Sequence, residues 1–151
     1  MTVQILSVVE LTADNVEDVL AVAPSSEQLR YVNPVAWYVA RSAYQQVWHS
    51  VGLATAVGEV VGFAEWAHDG SDGTYNLGGI IIDHQHQGRG LGRAALDALV
   101  AHLRARSVPG DIALTVHAEH ERARGLYERY GFAATGDVVE GELVMVLRQD
   151  D

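Results

Sequence analysis

Gly88, Gly90 and Gly92 fall at every second position within "DHQHQGRGLGRAALDAL" (Asp83 to Leu99), and Arg89 and Arg93 stand beside them. An apolar run, "LGGIII", ends just before this stretch and an amphipathic pattern opens inside it, so the glycines lie where a strand becomes a helix. Glycine permits backbone shapes and close approaches that a Cβ forbids. The first turn of a helix leaves N–H groups unpaired at the positive end of its dipole, and two guanidinium groups add charge there. A phosphate is the ligand that suits this chemistry. Two common phosphate motifs do not fit: a dinucleotide fingerprint needs glycine where Arg93 stands, and a Walker A loop needs Gly-Lys in a chain that has no lysine.

The elements that must position this loop follow from periodicity. "VQILSVVEL" (Val3 to Leu11) alternates as a strand does. Thr12 offers a capping oxygen to a helix through "ADNVEDVLAVA", with Val16, Val19, Leu20 and Ala23 on one face and Pro24 ending it. Asn33-Pro34 opens a second helix, expected to run to about His49 with Val35, Tyr38, Val39 and Val47 as its apolar positions. The period then becomes two. "VGLATAVG" and "VVGFAEWAH" form a hairpin about Gly58-Glu59, and "DGSDGT" turns the chain into "YNLGGIIID". A helix from about Gly90 to about Ser107, the strand "DIALTVHA", the helix "ERARGLYERYGF" closed by Gly131, and a hairpin turning at Glu140-Gly141 complete the order β-α-α-β-β-β-α-β-α-β-β. Antiparallel hairpins with one strand-helix-strand crossover describe an α+β fold with a mixed sheet.

A chain of 151 residues with 48% hydrophobic and 20% charged residues implies one domain, 1–151, with a real core. There is no cysteine, which excludes disulfides, thiol catalysis and Cys-based zinc sites and fits a reducing cytoplasm. The first residues lack the pattern of a signal peptide, and no apolar run approaches the roughly 20 residues that span a bilayer, so neither a membrane nor a secretory route is expected. All ten basic residues are arginine, and twenty acidic residues give a net charge of -10. That balance argues against a nucleic-acid partner and favours a cationic small molecule. "DHQH" lacks a third convergent ligand, so no metal is expected.

"QGRGLG" (Gln87 to Gly92) resembles the Q/R-x-x-G-x-G/A signature of the GNAT superfamily of N-acetyltransferases, and "ERARGLYERYGF" is similar to that family's second landmark, a helix with Tyr before a "GF" turn. The order of elements matches over essentially the whole chain. The resemblance implies the acyl-CoA N-acyltransferase fold, a central, mostly antiparallel sheet of about seven strands with about four helices. It implies acetyl-CoA as co-substrate, with the amides of Arg89, Gly90, Leu91 and Gly92 on its pyrophosphate, and Gln87, Gly88 and Arg93 in the same loop. Ile80 and Ile82 would pair their backbone with the pantetheine arm. His120 stands where many relatives carry an asparagine that contacts the cofactor. "IIIDHQHQGRGLGRAAL" and "GDVVEGELVMVL" look most like the spermine/spermidine branch, which implies a polyamine acceptor; Gly78 and Gly79 stand where that branch usually has a bulky aromatic and an Arg.

Acetyl transfer needs a neutral amine, and with a pKa near 10 only about one part in a thousand is neutral at pH 7, a cost of roughly 4 kcal/mol. It also needs donors for the carbonyl oxygen, for which the Ile80 N–H is the candidate, and a proton for the departing thiolate. The resemblance gives that last role to Tyr127, with Tyr130 as the fallback. For the base, Asp83 ends the central strand, and Glu65 stands mid-strand in "FAEWA", either buried and used or facing solvent at a sheet edge. His68, His84, His86, His117 and His120 are alternatives. Glu17, Glu27, Glu65, Asp69 and Asp72 are candidate carboxylates for a polycation. An acyl-CoA-binding sensor without turnover, or an acetyltransferase of protein amines or other small amines, would share the cofactor motifs. Exposed strand edges are compatible with a homodimer.

Overall fold

The computed structural model describes residues 4–150, so Val3, the expected start of the first strand, lies outside the described residues. Period-two alternation becomes strand in β1 (Ser7–Glu10), β2 (Trp48–Ala54), β3 (Val60–His68), β4 (Tyr75–Ile82), β5 (Ile112–His117), β6 (Ala133–Val139) and β7 (Glu142–Leu147). Helical spacing becomes α1 (Val16–Leu20), α2 (Val35–Tyr44), α3 (Leu91–Arg104) and α4 (Glu121–Tyr130), with 3-10 turns at Gln28–Arg30 and His84–His86. The strands form one sheet in the order β1-β2-β3-β4-β5-β7-β6. Every neighbouring pair is antiparallel except β4 and β5, the pair joined by the crossover through α3. The expected α+β architecture is the observed one.

Thr12 Oγ1 accepts N–H bonds from Asp14 and Asn15, each 3.2 Å long, but these lie in the turn before α1, whose N-cap is Asn15 without a side-chain cap bond, so Thr12 shapes the approach to the helix rather than capping it. Three helix boundaries differ from the expected ones, the first being α1, which stops at Leu20 short of Ala23 and Pro24. The second helix stops at Tyr44 rather than near His49, because residues from Trp48 onward are claimed by strand pairing with β3 and then β1, and Val47 stays 64% exposed. α3 ends at Arg104, about a turn early, where its apolar stripe runs out after Leu103.

The two faces of the sheet carry separate cores. Leu91, Leu96, Leu99 and Leu103 of α3 pack with Trp66, Leu77, Leu114 and Met145 on one face. Val19, Val35 and Tyr38 pack with Phe63 and Ile81 on the other. Removing these side chains from water is the main force that holds the helices to the sheet. Among the described residues no helix is long and apolar enough to cross a membrane.

Candidate active site

The glycine-rich loop forms as its residue types require. Gly90, the residue before α3, has φ +74° and Gly88 has φ +80°, left-handed conformations that side chains rarely adopt. The first backbone bond closing α3 runs from the Ala94 N–H to the Gly90 carbonyl at 3.4 Å, so the N–H groups of Leu91, Gly92 and Arg93 have no acceptor within the helix. A Cβ built at Gly88 or Gly90 would meet nothing within 4 Å, so the bare amides look onto open space. These amides, beside a helix N-terminus, fit a diphosphate.

The loop's side chains have other partners. Arg89 places Nη1 2.7 Å from His86 Nδ1, and His86 Nε2 lies 3.1 Å from Glu59 Oε1. Gln87 Nε2 donates to the Ile82 carbonyl at 2.9 Å and to Gln28 Oε1 at 2.7 Å, fastening the loop to the strand before it and to the segment between α1 and α2. Arg93 reaches the cleft described below, with its guanidinium carbon 4.6 Å from the centre of the Tyr130 ring. Arg122 and Arg129 of α4 line the same cleft. Sequence reasoning passed over both, although they share one helix with Tyr127.

β4 supplies the floor. Phe63 pairs with Ile81 and Glu65 with Gly78, so Gly79 and Ile80 together oppose Ala64 alone. This is a bulge, and Gly79 carries it with φ +57°; a Cβ there would come within 3.0 Å of the Tyr38 ring. On its other edge β4 pairs with β5 only from Tyr75 to Leu77, opposite Ile112 to Leu114. From Gly78 to Ile82 the two strands part. A cleft of about 290 Å³ occupies this splay, with Ile80, Ile81 and Ile82 on its floor and Gly88, Gly90, Leu91 and Gly92 at one end. That size suits a slender chain rather than a bulky group.

Tyr127 and His120 line the other side of the cleft. Burial, and after it the charge of Glu142, push the Tyr127 hydroxyl up to about 12, so it stays protonated at neutral pH. The ring of His120 stacks on Tyr31 at 4.2 Å, with their planes 8° apart, and Tyr31 also approaches His117 at 5.2 Å. Tyr31, in the segment before α2, thus backs the His120 ring of the cleft wall, a contact the sequence had not marked. Tyr130 does not line the cleft.

The two carboxylates expected as bases are engaged elsewhere. Asp83 Oδ1 accepts the Ala23 N–H at 3.0 Å, and the His84 N–H donates to the Ala23 carbonyl at 2.8 Å, so Asp83 staples the end of α1 to the end of β4. Glu65 is 0% exposed, which overturns its solvent-facing alternative, and it forms an ion pair with Arg41 of α2. The Arg41 guanidinium lies over the rings of Trp48, at 4.3 Å, and Trp37, at 4.8 Å. Neither Glu65 nor Asp83 lines the cleft, nor do Glu17, Glu27, Asp69 and Asp72. Asp69 and Asp72 cap the turn after β3, at the far end of β4 from the loop. Among the described residues no group of three or more His, Cys, Asp or Glu is placed to hold a metal ion.

Residues 15–132 match the family described as Acetyltransferase (GNAT) family. The spermine/spermidine N(1)-acetyltransferase of Bacillus subtilis is 31% identical over 148 residues, covering 93% of this chain and 97% of that protein. A crystal structure of spermidine N-acetyltransferase from Vibrio cholerae, in complex with CoA and spermine, superposes with a TM-score of 0.77 at 19% identity, covering 96% of each chain. An aminoglycoside acetyltransferase solved with coenzyme A gives a TM-score of 0.78 at 19% identity, covering 96% of this chain and 95% of that one.

Proposed function

The chain belongs to the GNAT family of acetyl-CoA-dependent N-acetyltransferases, and from that premise we propose that its acceptor is a primary amine of the polyamine class, such as spermidine or spermine, handled by one domain. The observation that carries this reading is the cleft itself, which leads from the amide loop, between the parted strands β4 and β5, to the Tyr127 side chain. The full-length similarity to a spermine/spermidine enzyme supports the acceptor class, as does the net charge of -10, which favours encounter with a polycation.

Bound acetyl-CoA supplies an acetyl group activated as a thioester. The amides of Arg89, Gly90, Leu91 and Gly92 hold the diphosphate, with Arg93, Arg122 and Arg129 adding charge along the cleft wall. The unpaired edge of β4 at Ile80 and Ile82 orients the pantetheine arm, and the Ile80 N–H stabilises charge on the carbonyl oxygen. Tyr127 donates its hydroxyl proton to the departing sulfur.

The test is release of the coenzyme A thiol from acetyl-CoA with spermidine, spermine, tyramine and a peptide with a free N-terminus. Saturable turnover that is fastest with the polyamines is expected. Turnover with tyramine or the peptide alone would move the acceptor to another class, and none with any amine would overturn the reading.

A further inference from the structure

If Glu65 and Asp83 are occupied, some other group must take the proton that the acceptor gives up. On β5, Ile112, Leu114 and Val116 are buried under α3 and α4, as are Met145 and Leu147 on β7. Side chains alternate along a strand, so His117 and Glu142 project to the opposite face. The two residues are direct partners in the β5–β7 register. Exposed Thr115 and half-buried Val144 show that this face is uncovered beside them. Neither His117 nor Glu142 lines the cleft itself; the His117 ring lies 5.2 Å from that of Tyr31, which stacks on His120 of the cleft wall, and the Glu142 charge acts on the buried Tyr127 hydroxyl. The Glu142 carboxylate makes no side-chain hydrogen bond or ion pair with the described residues, in contrast to that of Glu65.

Resting on the acetyltransferase reading, we propose that Glu142, opposite His117 on the uncovered face of the sheet, receives the proton that the acceptor ammonium loses before it attacks. The ammonium R–NH₃⁺ gives one proton to the Glu142 carboxylate, which later releases it to water. The neutral nitrogen forms the C–N bond at the thioester carbonyl carbon as the C–S bond breaks, and sulfur takes a proton from the Tyr127 hydroxyl. The second nitrogen proton, lost as the amide forms, restores that hydroxyl through water. One ammonium and one thioester thereby give one amide, one thiol and one free proton.

The groups facing Glu142 suit this task. Burial raises its pKa, His117 of β5 lowers it, and Glu140 in the β6–β7 turn raises it, leaving a carboxyl more basic than usual. Protonating Glu142 removes the charge that helps to keep the Tyr127 hydroxyl a weak acid. Accepting the amine's proton thus prepares Tyr127 to give up its own.

The experiment compares Glu142→Gln with the parent protein, using spermidine, spermine and tyramine. With the amine the parent uses best, kcat/KM at pH 7 should fall by roughly 100- to 1,000-fold. The deficit should shrink about tenfold per pH unit as neutral amine accumulates in solution. Calorimetry should show unchanged coenzyme A binding. With ¹³C-labelled glutamate carboxyls, the resonance missing from the variant should titrate above the ordinary glutamate range in the parent. Parent-like turnover, a deficit constant with pH, or a resonance titrating at or below the ordinary range would overturn the assignment while leaving the acetyltransferase reading intact. A parent protein inactive with all three amines would overturn both.

Discussion

At the loop end of the cleft the ligand-facing groups belong to the main chain, within one short segment from Gly88 to Gly92. At the Tyr127 end they are side chains, His120 and Tyr127, backed by residues from widely separated places: Tyr31 before α2 stacks on His120, His117 on β5 lies beside Tyr31, and Glu142 on β7 is opposite His117. A main-chain site depends on local conformation and tolerates changes in the side chains beside it. A side-chain site depends on the register of distant strands, so a change there alters chemistry or stability rather than grip on the cofactor.

The sharpest way to break that contrast is Glu65→Gln, behind the acceptor end. It leaves the Arg41 guanidinium without its charge partner, and the loss should be roughly 3 kcal/mol, the low end for a broken buried pair because Arg41 keeps some solvent. The melting temperature should drop by about 6–12 °C, while coenzyme A affinity in the folded fraction holds; an unchanged melting curve would remove the pair from the fold's supports. Next, Tyr127→Phe should lower kcat by roughly 100-fold with the KM for acetyl-CoA little changed, as expected for a proton donor at the reacting end. A rise in that KM at constant kcat would move Tyr127 into cofactor binding. Smaller again is Arg93→Ala at the loop end, where the exposed Asp97 partner lies 3.6 Å away and contributes little. Coenzyme A should bind a few-fold more weakly, with the loss fading at high salt. The smallest effect is expected for His120→Asn, since His120 meets Tyr31 in a stack rather than a charged contact, and its kcat should stay within about threefold of the parent's.

The same contrast explains what was legible in the chain before folding. Glycines and a helix start written in consecutive residues announce an anion cradle, and period-two runs announce the hairpins, including the turn at Glu140 and Gly141, both with positive φ. Gly78-Gly79 stood out as a departure from the polyamine branch, and a glycine pair inside a strand is where a bulge forms; the bulge stands at Gly79 and Ile80. What periodicity does not carry is which strands become neighbours. β7 lies between β5 and β6, and only that order sets Glu142 opposite His117. "VEGELVMVL" therefore reads as a hairpin and nothing more. Glu65 stood out as a costly mid-strand charge, but its partner lies 24 residues earlier on another element, so burial was readable and the ion pair was not. The end of α2 failed for a related reason: Trp48–Ala54 is held by β3 along its length and by β1 as well from Val51 onward, and that pairing outweighs local helical spacing.

Titration calorimetry of coenzyme A into the parent protein and Gly90→Val tests the central claim most directly. A β-branched residue at φ +74° distorts the amide cradle and sets a side chain in front of it, where a Cβ meets nothing within 4 Å and so displaces no core side chain. The parent should bind with one site, and the variant should bind at least about 100-fold more weakly, a loss of roughly 3 kcal/mol, while melting cooperatively. Equal affinity in the two proteins, or no binding by the parent, would contradict the account.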